Sequence, residues 1–100
     1  MTALDGSATA PLPGYQAEWQ VQVDSPEGTE YWCPYSFEFQ VVFEELYHQG
    51  ADLAVYNPHG RQEYTVDFRQ MTQRRSSSMS AEPRRVRRVL VPITVGLQQR

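Results

Sequence analysis

Apolar and polar residues alternate from Glu18 to Val23, where EWQVQV places Trp19, Val21 and Val23 on one side of an extended chain. Successive strand side chains point to opposite faces, so this run predicts a half-buried strand. The turn-rich DSPEGTE follows, then YWCPY, a second short strand with Pro34 at its edge or end because proline cannot donate to a ladder. Together they predict a hairpin. After Ser36 two periods overlap. Phe37, Phe39, Val41 and Phe43 alternate as in a strand, whereas Phe39, Val42, Phe43, Leu46 and Tyr47 share one helical face. Ser36 as N-cap, Glu38 in the first turn and Gly50 just past the end favour a helix over residues 37–49.

LAVYN (53–57) predicts a third strand and NPHG a turn. EYTVDF (63–68) predicts a fourth strand, with Tyr64, Val66 and Phe68 on one face and Glu63, Thr65 and Asp67 on the other. RQMTQRR is expected to continue as an edge strand or a bend, and RSSSMSAEP to form a mobile loop. In RRVRRVLVPITV, Val86, Val89, Leu90 and Ile93 have helical spacing, but the β-branched content and Pro92 argue for a strand. The pattern predicts an α+β domain with one helix and about six short strands in an antiparallel sheet.

One hundred residues fit a single domain. Residues 1–16, with Gly6, Pro11, Pro13 and Gly14, are expected to be a flexible leader, 17–92 the folded domain and 93–100 a tail. The first residues have neither a basic n-region nor an apolar h-region, so no secretory signal is expected. No apolar run approaches the roughly 20 residues of a membrane span, so no membrane partner is expected. Cys33 is the single cysteine and can form no internal disulfide. The expected setting is the cytoplasm or nucleus.

Charge changes the picture more than composition does. The net charge of −3 hides an uneven distribution. All nine basic residues are arginines and all lie after residue 60, while nine of the twelve acids lie before it. Arg84, Arg85, Arg87 and Arg88 form one cluster. On a strand, Arg84 and Arg88 share a face with Val86 and Leu90, and Arg85 and Arg87 share the other with Val89. A guanidinium turned inward needs an acid, such as Glu44, Glu45, Glu63 or Asp67, or an anionic ligand. Both remain open at this stage. Guanidinium forks suit bidentate phosphate recognition.

Little in the chain supports catalysis. Cys33 lies between Trp32 and Pro34 with no basic neighbour to lower its pKa. His48 and His59 lack metal-ligand spacing with a partner, so no metal or other cofactor is expected. Glu44 and Glu45 are adjacent on a helix and diverge, and no glycine-rich phosphate loop exists. The expectation is a binding module rather than an enzyme.

The order of residues resembles the WWE domain, named for two tryptophans and a glutamate, which here correspond to Trp19, Trp32 and Glu44. Tyr35, Leu46, Tyr47 and Gly50 fit the same pattern, and YTVDFRQMTQRR followed by RRVRR is its more specific part. The resemblance covers about residues 17–91. It implies a curved antiparallel half-barrel wrapped on one helix, which binds iso-ADP-ribose, the internal unit of poly(ADP-ribose), or terminal ADP-ribose. It also implies partners among ADP-ribosylated proteins, ubiquitin ligases and ADP-ribosyltransferases. Carried over by position, Tyr64 would contact a phosphate, Gln73 the adenine edge and Arg84 the pyrophosphate, with Trp32 and Arg85 completing the candidate set. Trp19 and Trp32 equally suit the core, and Glu44 a structural acceptor. Two departures stand out: Val21 replaces an aromatic residue common in the family, and the loop before RRVRR is rich in serine and lacks the usual glycine. Two rival readings stay open, a protein-interaction module without ADP-ribose binding and a nonspecific polyanion binder using RRVRR. No sequence-specific nucleic-acid contact is expected.

Overall fold

The structure, a computed structural model, describes residues 4–5, 13–58, 60, 62–77 and 82–93. His59, residues 78–81 of the serine-rich loop, most of the leader and the tail after Ile93 lie outside the described residues. The elements are β1 (Leu4–Asp5), β2 (Tyr15–Asp24), β3 (Glu30–Pro34), α1 (Phe37–His48), β4 (Leu53–Tyr56), β5 (Tyr64–Asp67), β6 (Thr72–Arg75) and β7 (Arg84–Pro92). The strands follow the order β3-β2-β7-β6-β5-β4, an open antiparallel sheet, with β1 added against β7.

The EWQVQV alternation sets the inner face of β2. Trp19 and Val21 turn inward, opposite Arg88 and Val86 of β7. Val66 of β5 and Ala54 of β4 continue this face, and Phe43 of α1 packs into the middle of it. Trp19, Phe43 and Val66 are completely buried. The Phe43 ring meets Trp19 of β2 at 6.3 Å and Tyr56 of β4 at 5.4 Å between centroids. Those strands are four spacings apart in the order, roughly 19 Å in a flat sheet. The sheet therefore curls around the helix as a half-barrel without closing.

Ser36 occupies the N-cap position but its hydroxyl makes no capping bond. The Phe39 and Gln40 amides donate instead to its carbonyl. At the other end Gly50 takes φ +83°, and its amide and that of Ala51 donate to Tyr47 and Leu46, a Schellman ending that needs a left-handed residue.

RQMTQRR contains the expected bend, but the strand that follows it is not at an edge. Asp67 Oδ1 accepts from the Arg69 and Gln70 amides at 2.8 and 2.9 Å, closing a turn that Met71 completes at φ +56°. The chain then reverses into β6, which lies inside the sheet between β5 and β7. This reversal brings Gln73 to the inner face. RRVRRVLVP is a strand, as its β-branched content indicates.

Gln40 ends the pairing of β2 with β3. Its side-chain amide takes the place of a strand peptide, accepting from Trp19 N–H at 2.6 Å and donating to the carbonyls of Trp19 and Tyr35 at 2.9 and 3.0 Å. No helix among the described residues is long and apolar enough to cross a membrane.

Candidate functional site

The inner face of the half-barrel is layered. Val66 and Val86 lie in the buried layer, and one step toward the open end the same strands present Tyr64 on β5 and Arg84 on β7. Between them, Gln73 of β6 is directly opposite Arg84 in one ladder and Val66 in the other. Tyr64, Gln73 and Arg84 thus line one cleft of about 720 Å³, with Tyr35, Tyr56 and Arg75 among its other walls. Val21 lines it as well, so the family's missing aromatic corresponds to a wall position of the cleft.

Gln73 is 8% exposed and its amide is held by two phenols. Tyr35 and Tyr56 both donate to Gln73 Oε1, at 2.6 and 2.5 Å. Burial pushes the Tyr56 hydroxyl up to about 12. Burial, then the neighbouring Tyr56, pushes that of Tyr35 further above its ordinary range. Both therefore keep their protons and remain donors at neutral pH. A carbonyl oxygen has two lone pairs, so these bonds fill its capacity. What Gln73 offers the cleft is its Nε2, a donor with no partner among the described residues. The Tyr64 ring stacks on Tyr56 at 5.5 Å, which braces it beside the amide. Arg84 Nη1 donates to the Gln22 carbonyl at 3.3 Å, and no acid pairs with it among the described residues.

Trp32 and Arg85 are not brought to this cleft. Trp32 pairs with Gln22, one step out of phase with Val21, and Arg85 pairs with Thr72, one step out of phase with Gln73. Both therefore belong to the outer face. There the Arg87 guanidinium lies 4.3 Å from the centre of the Trp32 ring and donates to Gln20 Oε1 at 2.6 Å. Arg88 takes the opposite course. Its side chain is buried in the core, where Nε and Nη2 donate to the two oxygens of Glu44 at 2.9 and 2.6 Å. The cluster divides its arginines: of the two that turn inward, Arg88 meets an acid, whereas Arg84 meets a carbonyl and no acid among the described residues. RRVRR thus places Arg85 and Arg87 on the outer face, Arg84 on the cleft and Arg88 in the core.

Tyr56 and Gln40 were not picked out by the sequence reading. Tyr56 sits at the end of the short LAVY strand, and its position opposite Tyr64 in the β4–β5 ladder brings it to the cleft. Alternation from Ala54 was the signal that could have found it. Among the described residues no cluster of His, Cys, Asp and Glu can hold a metal ion.

The arrangement is that of a recognition module: an open half-barrel with a cleft lined by an amide donor, phenols and the Arg84 guanidinium, which meets no acid among the described residues. Residues 17–88 match the sequence model of the WWE domain, and the chain belongs to that family. A comparison with curated proteins found no match. WWE domains are generally non-catalytic binding modules, and membership supports a general role in binding ADP-ribose or poly(ADP-ribose).

Proposed function

We propose that this chain is a non-catalytic reader of poly(ADP-ribose) that takes iso-ADP-ribose or terminal ADP-ribose into the Tyr64–Gln73–Arg84 cleft. It would thereby target a ubiquitination or ADP-ribosylation system acting in the cytoplasm or nucleus. The observation that carries this reading is the pinned Gln73 amide beside an arginine with no acid partner among the described residues. Gln73 Nε2 donates to a purine ring nitrogen. Arg84 holds the pyrophosphate, since two phosphates call for a guanidinium fork. The Tyr64 hydroxyl donates to a phosphate oxygen. Glu38 and Glu82 on the rim can accept from ribose hydroxyls. The cleft volume falls in the range of about 300–1,000 Å³ typical of small-ligand sites.

Calorimetric titration with iso-ADP-ribose and, separately, ADP-ribose tests the reading on wild type and Arg84→Ala. Saturable binding that Arg84→Ala weakens at least tenfold supports it, and the better ligand identifies which part of the polymer is read. No heat with either ligand, for folded protein, moves the chain to the class of protein-interaction modules.

A further inference from the structure

A second hollow, of about 570 Å³, lies on the far side of β2 from β7, between the start of that strand and α1. Its wall is a sheet edge that no strand covers among the described residues. The ladder with β3 ends at Gln20, whereas that with β7 continues to Tyr15. Trp19 turns its N–H and C=O away from β7, toward Gln40 and Tyr35. The same phase directs the N–H and C=O of Ala17 and Tyr15 into the hollow. Neither has a partner there among the described residues. The opposite wall is apolar: Phe37 is 82% exposed and Val41 50% exposed on the adjoining turns of α1. Glu18 and Glu44 also line the hollow, and no basic side chain does among the described residues.

We infer that this groove docks an extended, basic segment of a partner protein, which adds to β2 as a strand. An open edge beside an apolar helix face is the physical basis of strand addition: main-chain bonds supply affinity, and alternate side chains are read by pockets. Ala17 and Tyr15 supply the main-chain donors and acceptors. Phe37 and Val41 cover the inward side chains of the guest, and Glu18, on the outer face of β2, selects lysine or arginine on the outward ones. The wholly acidic character of residues 1–60, nine acids and no arginine, extends that selection beyond the groove. The site adjoins the proposed ADP-ribose cleft at Tyr35 and does not depend on that assignment.

The test uses the full chain, 15N-labelled, with a six-residue peptide of alternating valine and lysine. Two controls are an alternating valine–glutamate peptide and a proline–lysine peptide of equal charge that cannot pair as a strand. Saturable shifts confined to residues 15–19 and 37–44 are expected with the first peptide alone. Val41→Arg should weaken them at least tenfold, and Ala17→Pro, which removes an N–H that β7 does not use, should abolish them. Thermal melts establish that each variant is folded, and Val41→Arg keeps the test available if Ala17→Pro unfolds. Equal binding of the proline–lysine peptide would reduce the effect to charge and overturn the inference. So would an absence of saturable shifts, or a dimer in sedimentation that Val41→Arg dissolves, which would assign the groove to a second copy.

Discussion

Arg88 and Glu44 meet side-on beneath the Trp19 indole, whose Nε1 donates to the same carboxylate oxygen that accepts from Arg88 Nε. The guanidinium is buried, the carboxylate about a quarter exposed, and His48 Nε2 lies 2.6 Å from the second oxygen. Arg88 Nη1 is buried with no hydrogen-bond partner among the described residues, so the charge rests on the Glu44 carboxylate and on the Tyr47 ring, whose centre lies 5.2 Å from the guanidinium carbon. Removing one member of such a pair strands the other in a low-dielectric interior. Glu44→Ala is expected to destabilise by about 3–5 kcal/mol. Arg88→Met, which removes the buried charge itself, should cost less, and urea denaturation of the two variants gives the comparison.

The same pair sets the acid limit of the fold. Burial pushes the Glu44 carboxyl up, but hydrogen bonds from Arg88, Trp19 and His48, with the Arg88 charge, outweigh it and hold the group at about 2, against 4.5 unperturbed. A carboxyl lowered by folding binds its proton more readily when unfolded. Its contribution is therefore complete above pH 4.5 and is lost as pH falls through about 2. That contribution is at most roughly 3 kcal/mol. Denaturation midpoints of wild type should fall between pH 5 and pH 2.5, and those of Glu44→Gln should fall distinctly less.

Gln73 is tied into the fold and, in the proposed function, into the ligand, and two substitutions separate these roles. Gln73→Leu leaves the Tyr35 and Tyr56 hydroxyls without their acceptor. It should cost about 1–3 kcal/mol of stability for each hydroxyl left unsatisfied. Gln73→Glu keeps an acceptor for both phenols but replaces the donor facing the cleft. Its melting temperature should stay nearer wild type while ADP-ribose binding falls at least tenfold. Equal ligand affinity in Gln73→Glu and wild type would remove Gln73 from the recognition site.

The β2 alternation was legible as a local period, the helix from its terminal residues Ser36, Glu38 and Gly50 where two periods overlapped, and the strand character of RRVRRVLVP from its β-branched content and Pro92. Arg84 and Arg85 were separable by face because strand side chains alternate. Trp32 was not, because its face depends on the register of β3 against β2, and a five-residue hairpin loop from Ser25 to Thr29 leaves that open in the sequence. The interior position of β6 was hidden for a different reason. It depends on the Asp67 carboxylate capping a turn and on Met71 accepting a left-handed conformation, and neither has a periodic signature. Gln40 was hidden because a side chain standing in for a strand peptide looks like any polar helix position.

Val21 gives a prediction in the direction of gain. It is 9% exposed and lines the cleft where many WWE domains carry an aromatic ring. Val21→Tyr extends a flat apolar wall of the cleft and adds a hydroxyl to it. An added aromatic contact is worth about 0.5–1.5 kcal/mol, or roughly a threefold to tenfold gain in affinity. Titration of the variant with iso-ADP-ribose checks it, and weaker binding would mean that the cleft is already filled to that wall.

Arg84 and Arg85 are adjacent in sequence and lie on opposite faces of β7, which allows a pocket to be distinguished from a cationic surface. In the proposed mode Arg84→Ala lowers affinity for iso-ADP-ribose at least tenfold and Arg85→Ala changes it less than twofold. A polyanion bound through the general field of RRVRR would instead lose similar affinity from either substitution. Its affinity would also fall steeply with salt, since each neutralised phosphate releases counterions. A single pyrophosphate held by Arg84 involves few phosphates, so raising salt from about 50 to about 200 mM should cost far less than the roughly thousandfold loss seen for six or more contacts. Parallel titrations of both variants at the two salt concentrations make the distinction. Matching losses with a steep salt slope would assign the arginines to a polyanion surface, and an Arg84-specific loss with a shallow slope would assign them to a nucleotide cleft.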